Sequence, residues 1–433
     1  MEYLLLLITL ITCITSIMHP WVGVIAYYIL GIYSPKSFWP WIFQDSRISM
    51  FVAVATILGI LIAIIQKKID FSLLNNKQTK ALFLLCLIVN ISHFMSPFYG
   101  LYVGQTIPPG EALTIFNKTI LFYCISVLLI NDNRKLMYVI GVLLFTGIMY
   151  AFWSNKVYFT GEMWKFTSNG RLKGPGLYRD ENVFSLLFIV SIPFMYFIAS
   201  SIKNKVAKLS LLACIPIAWH ALFLIGSRGA MISLLIITLL LAFRSHSKTF
   251  GYIVMVGLIF AIVNYGGAIY ERSTNTVEVA QTDGREKPLN PRLVTWSAGW
   301  EMIKDYPILG VGIEHYQTAG LTYIEGRVQV AHNTLIQFTS QAGVVAGLIY
   351  LWFFVNFYKN SKYIRIKSKN DFNINVSNGL FISAVGFFIC AIFLNLMITE
   401  MLYFLLLINV INLNLVDREV DEVVKGEVGE QDS

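Results

Sequence analysis

Residues 182–201 read NVFSLLFIVSIPFMYFIASS. No charge interrupts them, and at ~1.5 Å of rise per residue a helix of this length spans the ~30 Å hydrocarbon core of a bilayer. Runs of the same kind recur on both sides of it, near 3–18, 21–33, 49–65, 79–97, 112–130, 135–152, 206–225, 229–243, 250–269, 333–357, 379–397 and 400–415. The first two are short and break at His19-Pro20, so they read as two spans or as one re-entrant pair. A bilayer offers no water to unpaired backbone groups, and the ~10-residue alternation of a membrane barrel is missing, so helices are the expected form. The expected fold is an all-α, polytopic integral membrane bundle of about 12–13 transmembrane helices.

Composition agrees. Of the 433 residues, 56% are hydrophobic and 13% are charged, against ~25% charged in a soluble domain. The net charge of +8 suits the basic cytoplasmic loops of a membrane protein, and no soluble basic module with stacking aromatics points to nucleic acid. Met1-Glu2-Tyr3 lacks a basic n-region, which favours a retained span over a signal peptide. Cys13, Cys86, Cys124, Cys214 and Cys390 all fall within expected spans at no metal-ligand spacing, and read as buried free thiols.

Basic residues set the orientation. Lys67, Lys68, Lys77 and Lys80, then Arg134 and Lys135, then Lys203, Lys205 and Lys208, then Arg244 and Lys248, and finally Lys359, Lys362, Arg365, Lys367 and Lys369 alternate correctly with the spans. They assign one face to the cytoplasm. The acidic tail 416–433 falls on that face and reads as solvated, with no fold of its own. The other face receives 34–48, 98–111, 153–181 and 270–331. The last is the largest segment outside the membrane, too short for an independent domain but able to hold one or two helices lying on the bilayer. The whole chain, 1–433, is thus one transmembrane domain.

Exterior loops are normally poor in cations, yet Arg171, Lys173, Arg179, Arg228 and Arg292 all sit there, close to span ends or in glycine-containing turns. Any one of them reads equally as a headgroup anchor or a surface ion pair. As a set they suggest a bound anion such as a phosphate or pyrophosphate, because guanidinium presents a planar fork of donors. Arg228 lies in the tight turn Ser227-Arg228-Gly229, where Gly226 and Gly229 permit close backbone approach. Arg292 opens PRLVTWSAGWEMIKD, 291–305, in which Leu293, Trp296, Trp300 and Ile303 recur at helical spacing. Pro291 suits a first turn and Asn290 a cap, while the tryptophans suit a membrane interface. A helix N-terminus there also attracts anions.

Of the six histidines, His332 stands out, because Ala331-His332-Asn333-Thr334 joins the large exterior loop to a long span. An imidazole at that place can take a proton from a hydroxyl near neutral pH, or it can be an ordinary hydrogen-bonded loop residue. His315 is the second candidate. Glu314, Glu325 and Asp283 are scattered acids that read as solvated, and no acidic metal cluster, HExxH, CxxC, Walker or dinucleotide motif stands out.

AHNTLIQFTSQAGVVAGLIYL (331–351) resembles the hallmark segment of the O-antigen ligase and polymerase superfamily. GRLKGPGLYRDENVFSLLFIV (170–190), SRGAMISLLI (227–236) and PRLVTWSAGWEMIKDYPILGVGIEHY (291–316) are similar to that family in order and placement. HPWVGVIAYYILGIYSPKSFWPW (19–41) resembles the subgroup of exosortase-associated O-glycosylation ligases. The resemblance implies a glycosyltransferase of the bacterial inner membrane. Such an enzyme moves a saccharide from undecaprenyl pyrophosphate to a lipid, protein or sugar hydroxyl on the periplasmic side, with no metal and no cofactor. By the same resemblance Arg228 and Arg292 would hold the pyrophosphate, one of Arg171, Lys173 and Arg179 would join them, and His332 would activate the acceptor. Asn333 matches the motif without an evident role. The implied partners are the lipid-linked donor, the acceptor and membrane lipids.

Ligase and polymerase share this chemistry. A lipid-linked oligosaccharide flippase is the competing class, but transporters place ionisable groups at the midplane, whereas the candidates here gather at one face. The charge pattern makes a direct prediction about topology. Cysteine probes in 270–331 should react with an impermeant reagent from outside the cell, and probes in 66–78, 202–208 and 358–378 should not. The reverse pattern would overturn the assigned orientation.

Overall fold

The computed structural model describes residues 2–43, 47–103, 107–245, 256–257, 291–324 and 328–431. Among the described residues, besides the single turn Pro40–Phe43, the architecture is carried by α1 (Glu2–Met18), α2 (Pro20–Tyr28), α3 (Ile48–Ile65), α4 (Lys77–Phe94), α5 (Pro109–Leu129), α6 (Asn133–Phe159), α7 (Glu181–Ser201), α8 (Lys205–Ile225), α9 (Arg228–Arg244), α10 (Pro291–Asp305), α11 (Tyr316–Gly320), α12 (Thr334–Ala342), α13 (Val344–Lys367), α14 (Asp371–Ala391) and α15 (Glu400–Gln431). Among the described residues there is no strand, only an isolated bridge between Phe166 and Leu172. Among the described residues seven helices, α3, α5, α6, α7, α8, α14 and the Glu400–Glu422 part of α15, are long and apolar enough to cross a membrane. The protein is an all-α polytopic membrane bundle. Apart from residues 256–257, the expected span 250–269 and the loop up to residue 290 with its Asn290 cap lie outside the described residues.

Helix α7 is the axis of the bundle. Phe184 through Ala199 are all buried, and α6, α8, α9 and α14 surround it. Small residues permit this. Ser191 lies against Gly147, and Phe194 against Gly379. In lipid no apolar drive separates helix–helix from helix–lipid contact, so such close approach supplies the attraction. The outer helices present apolar side chains outward, Leu6, Leu7 and Ile11 on α1 and Phe51, Leu58 and Leu61 on α3 among them.

A polar clasp lies inside the bundle. Buried Gln78 on α4 donates to the Leu406 carbonyl at 2.7 Å and to the Tyr123 hydroxyl at 3.3 Å. Its own carbonyl accepts from Asn356 at 3.0 Å and Asn409 at 2.6 Å. One side chain thereby ties α4 to α5, α13 and α15.

Three expectations need correction. The span expected at 333–357 is two helices, α12 and α13, broken at Gly343. Gly343 has φ +87°, a conformation unfavourable for residues with a Cβ. The backbone groups the break releases are taken by the preceding segment: Val311 and Gly312 donate to the carbonyls of Ser340 and Gln341 at 2.8 and 2.9 Å, and Val344 donates to Pro307 at 2.8 Å. The loop expected at 358–378 shrinks to residues 368–370, because α13 continues to Lys367 and α14, expected to start at 379, starts at Asp371 under an Asn370 cap. Asn373, Asn375 and Asn378 in that first part of α14 are buried against neighbouring helices. The tail from 416 is helical to Gln431, and Arg418 and Glu419 pin it to Asp70 and to Ser368 and Lys369. In α10, Leu293 and Trp300 are 51% and 57% exposed, while Ile303 of the same stripe is buried. The helix also buries Thr295, Ala298 and Met302, and Gly299 sits directly against Ile336 and Tyr316. Small residues bring α10 close to α11 and α12.

The clasp makes a stability prediction. Gln78→Leu strands the amides of Asn356 and Asn409 and should cost about 1–3 kcal/mol, read as a lower thermal unfolding midpoint in detergent. An unchanged midpoint would mean that the clasp contributes nothing.

Candidate functional site

The site is built on the strap between α6 and α7, the α8–α9 turn and the starts of α10 and α12. The strap between α6 and α7 is pinned by Leu172, which is fully buried and donates its N–H to the Leu224 carbonyl at 3.0 Å. Its neighbour Arg171 is thereby held beside the end of α8. Arg171 Nε donates to the Ile225 carbonyl at 3.2 Å and Nη2 donates to Asn182 Oδ1 at 3.1 Å. Asn182 lies in the first turn of α7, which Asp180 caps by accepting from the N–H groups of Asn182 and Val183 at 2.8 and 3.0 Å. The hydroxyl of Ser227 donates to the same Asn182 oxygen at 2.8 Å. One amide oxygen thus joins the strap, α7 and the α8–α9 turn.

That turn is tight. Gly226 ends α8 in the left-handed region at φ +62°, and Ser227 is the N-cap position of α9. Arg228 follows as the first helical residue, with its side chain exposed. Gly229 lies against the ring of Phe393, where a Cβ would come within 2.7 Å of the ring edge. The Arg292 guanidinium carbon lies 6.0 Å from the centre of that ring. The 392–399 connection between α14 and α15 therefore brings α9 and α10 together.

Arg292 is half-buried, and burial, then the positive charges of Arg228 and Arg171, hold its pKa below the ordinary arginine value, with Asp180 acting in the opposite sense. The three guanidiniums thus share one electrostatic site. Gathering like charges is unfavourable, and an anion bound among them relieves that repulsion through charge-assisted hydrogen bonds.

His332 adjoins the cluster. Its pKa is lowered by burial first and by Arg292 second, so the imidazole is neutral near pH 7 and able to accept a proton. Its backbone is left-handed, φ +47°, a conformation that costs free energy outside glycine and recurs at functional sites. The flanking residues hold it in place. Trp296 Nε1 on α10 donates to the Ala331 carbonyl at 2.8 Å. The Thr334 hydroxyl donates to the Leu394 carbonyl at 2.7 Å. Asn333 caps α12, accepting from the N–H groups of Leu335 and Ile336 at 3.0 and 3.1 Å.

The sequence candidates therefore separate. Arg171, Arg228, Arg292 and His332 come together. Lys173 and Arg179 instead line a cavity with Trp153 and Lys165. His315 is fully buried against His93, ring centres 6.0 Å apart, and burial followed by His93 pushes its pKa down to about 4. Glu314, expected in solvent, is buried and accepts from Gln337 at 3.3 Å. Glu325 and Asp283 lie outside the described residues. Among the described residues no group of three or more His, Cys, Asp or Glu side chains could hold a metal ion. Sequence reasoning missed Asn182, Ser227 and Phe393. Only Asp180 carried a local signal, as a cap type immediately before an apolar run.

The capping geometry of Asn333 is testable. Asn333→Ala should cost about 0.5–2 kcal/mol of stability, and Asn333→Asp should restore most of it, since both Asn and Asp cap well. Thermal unfolding of the two variants reads this. Equal destabilisation by Asp and Ala would show that capping is not what Asn333 contributes.

No curated protein matches this chain. A family model described as O-antigen ligase matches residues 212–351, from within α8 to within α13. The matched stretch contains Arg228, Arg292 and His332 but neither Arg171 nor Asn182. Covering about a third of a many-helix membrane chain, it supports the placement of this protein in the O-antigen ligase and polymerase superfamily.

Proposed function

We propose that the protein is a membrane glycosyltransferase that moves an oligo- or polysaccharide from undecaprenyl pyrophosphate to an acceptor hydroxyl. In this reading it lies in the bacterial inner membrane with its site toward the periplasm. The observation that carries the proposal is the convergence of Arg171, Arg228 and Arg292 beside His332, within a bundle whose matched segment is O-antigen ligase-like. Of the three strap cations, Arg171 is the one assigned to the pyrophosphate, because it alone is coupled electrostatically to Arg292.

The chemistry follows from the residue types. The acceptor hydroxyl attacks the anomeric carbon, and its proton passes to the neutral imidazole of His332. A carbon–oxygen bond to the acceptor forms, the bond to the pyrophosphate breaks, and undecaprenyl pyrophosphate leaves with the bonding electrons. Charge grows on the leaving oxygen, and the fixed guanidiniums stabilise it there. A good leaving group stabilised by three cations needs neither a metal ion nor a cofactor. The polyprenyl tail stays in lipid while the sugar lies in water, so a site at the bundle end suits the substrate. The same arrangement serves one transfer to a lipid or protein and repeated transfer to a growing chain.

Single-turnover transfer and donor binding, measured on the same purified variants, test these roles. His332→Ala should lose roughly 10²–10⁴-fold in rate with donor binding kept. Arg228→Ala or Arg292→Ala should weaken donor binding roughly ten- to a hundredfold, and Lys should rescue in part. The depressed pKa of His332 adds a pH signature. Below its pKa the imidazole is protonated and cannot act as base, so activity should fall on the acid side, with the midpoint of kcat/KM for the donor below the ordinary histidine value of ~6.5. A bound pyrophosphate offsets the charge of Arg292, so the midpoint in kcat should lie higher than in kcat/KM. Transfer by His332→Ala at the parent rate would remove the base assignment.

A further inference from the structure

The strap that delivers Arg171 to the arginine cluster also builds a cavity. It has a volume of about 420 Å³ and is lined by Trp153, Lys165, Lys173, Gly174, Pro175 and Arg179. That is within the ~300–1,000 Å³ range of small-molecule sites. Its position follows from the strap. Buried Leu172 plugs into the core, and in extended backbone the residues on either side of it, Arg171 and Lys173, project to the opposite side. The cavity is thereby tied to the cluster through the strap, Lys173 lying two residues after Arg171.

Its lining is specific in character. Trp153 forms an apolar wall, braced edge-on by Phe38 and Phe184 at 6.4 and 6.2 Å between ring centres. Lys165 is committed, since it pairs with Glu162 and lies 5.1 Å from the Trp153 ring centre. Lys173 and Arg179 have exposed side chains and, among the described residues, no ion pair. The uncommitted charge of the cavity is positive, and an aromatic wall faces it.

We propose that this cavity is a subsite for an acidic sugar residue, a uronate or another carboxylated sugar, in the saccharide being transferred. This rests on the transferase reading above. With the pyrophosphate held at Arg171, Arg228 and Arg292, the donor extends in two directions. The polyprenyl chain must run into lipid, so a cationic, water-accessible cavity is left for the saccharide. Lys173 and Arg179 pair with the carboxylate, and the Trp153 indole, over which Lys165 already lies, supplies the apolar side of the cavity.

Two lipid-pyrophosphate donors of equal length, one with a uronate near the reducing end and one neutral, provide the test, with the protein in neutral-lipid nanodiscs. The wild type should transfer the acidic saccharide in preference to the neutral one. Because the pairs are exposed, Lys173→Gln/Arg179→Gln should reduce that preference roughly two- to tenfold, and the preference should shrink as salt rises. Lys156→Gln, an exterior charge outside the cavity, should leave the preference unchanged. Equal use of the two donors by the wild type, or a preference untouched by the double variant, overturns the subsite and leaves the transferase reading standing. Failure to bind or transfer either donor overturns the transferase reading itself. A last arm adds anionic phosphatidylglycerol to the nanodiscs. If this lipid abolishes the preference and the double variant is insensitive to it, the cavity is a headgroup site and the saccharide assignment is wrong.

Discussion

The carbonyl oxygen of the Asn182 side chain accepts two hydrogen bonds, from Arg171 and from Ser227, and the rest of the site depends on it. A carbonyl has two lone pairs, and here both are used to join elements that are remote in sequence. Through Arg171 the oxygen fixes the strap after α6. Through Ser227 it fixes the turn that starts α9 and so the origin of Arg228. Asn182 itself is rigid because α7 is the buried axis of the bundle and Asp180 caps its first turn. A guanidinium held by its back edge, with Nε on a backbone carbonyl and Nη2 on an amide, keeps donors free to face a ligand.

The other half of the site is organised by a broken helix. In lipid a break is tolerated only where the released backbone groups find partners, and residues 307–312 supply them. The same pairing draws the connection after α10 along α12, so α10 lies across the start of α12, where Trp296 can reach the Ala331 carbonyl. His332 is held in a left-handed conformation between that contact and the Asn333 cap. A base positioned by backbone geometry on both sides loses little entropy when an acceptor arrives, and this preorganisation is what the proposed reaction requires.

Part of the site was legible because its residues violate a local rule. Arginine in a tight exterior turn, arginine at the first turn of an amphipathic stretch, and histidine where a loop enters a span are each costly without a partner. Arg228, Arg292 and His332 could therefore be singled out without coordinates. Arg171, Lys173 and Arg179 could not be sorted, because three cations within nine residues look alike until Leu172 is seen to anchor the strap. Asn333 had a motif but no role, and its role is a cap. Asn182 and Phe393 were invisible, since a polar residue in a first turn and an aromatic after a span carry no signal of their own.

The sequence by itself determined the solvent and the helices. Helix formation in a bilayer is a local requirement, met by hydrogen bonds within about four residues, so unbroken apolar runs and a low charge content decide it. The charge asymmetry at span ends is local in the same sense. Only the tertiary structure decided the break at Gly343, the buried face of α10, the helical course of the acidic tail and the separation of Arg171 from Lys173 and Arg179. Each of these depends on a partner distant in the chain: Pro307 and Val311 for the break, Ile336 and Tyr316 for α10, Asp70 and Ser368 for the tail, and Leu224 and Asn182 for the strap. No periodicity or spacing encodes such a partner, because the energy of the contact exists only after the helices have packed.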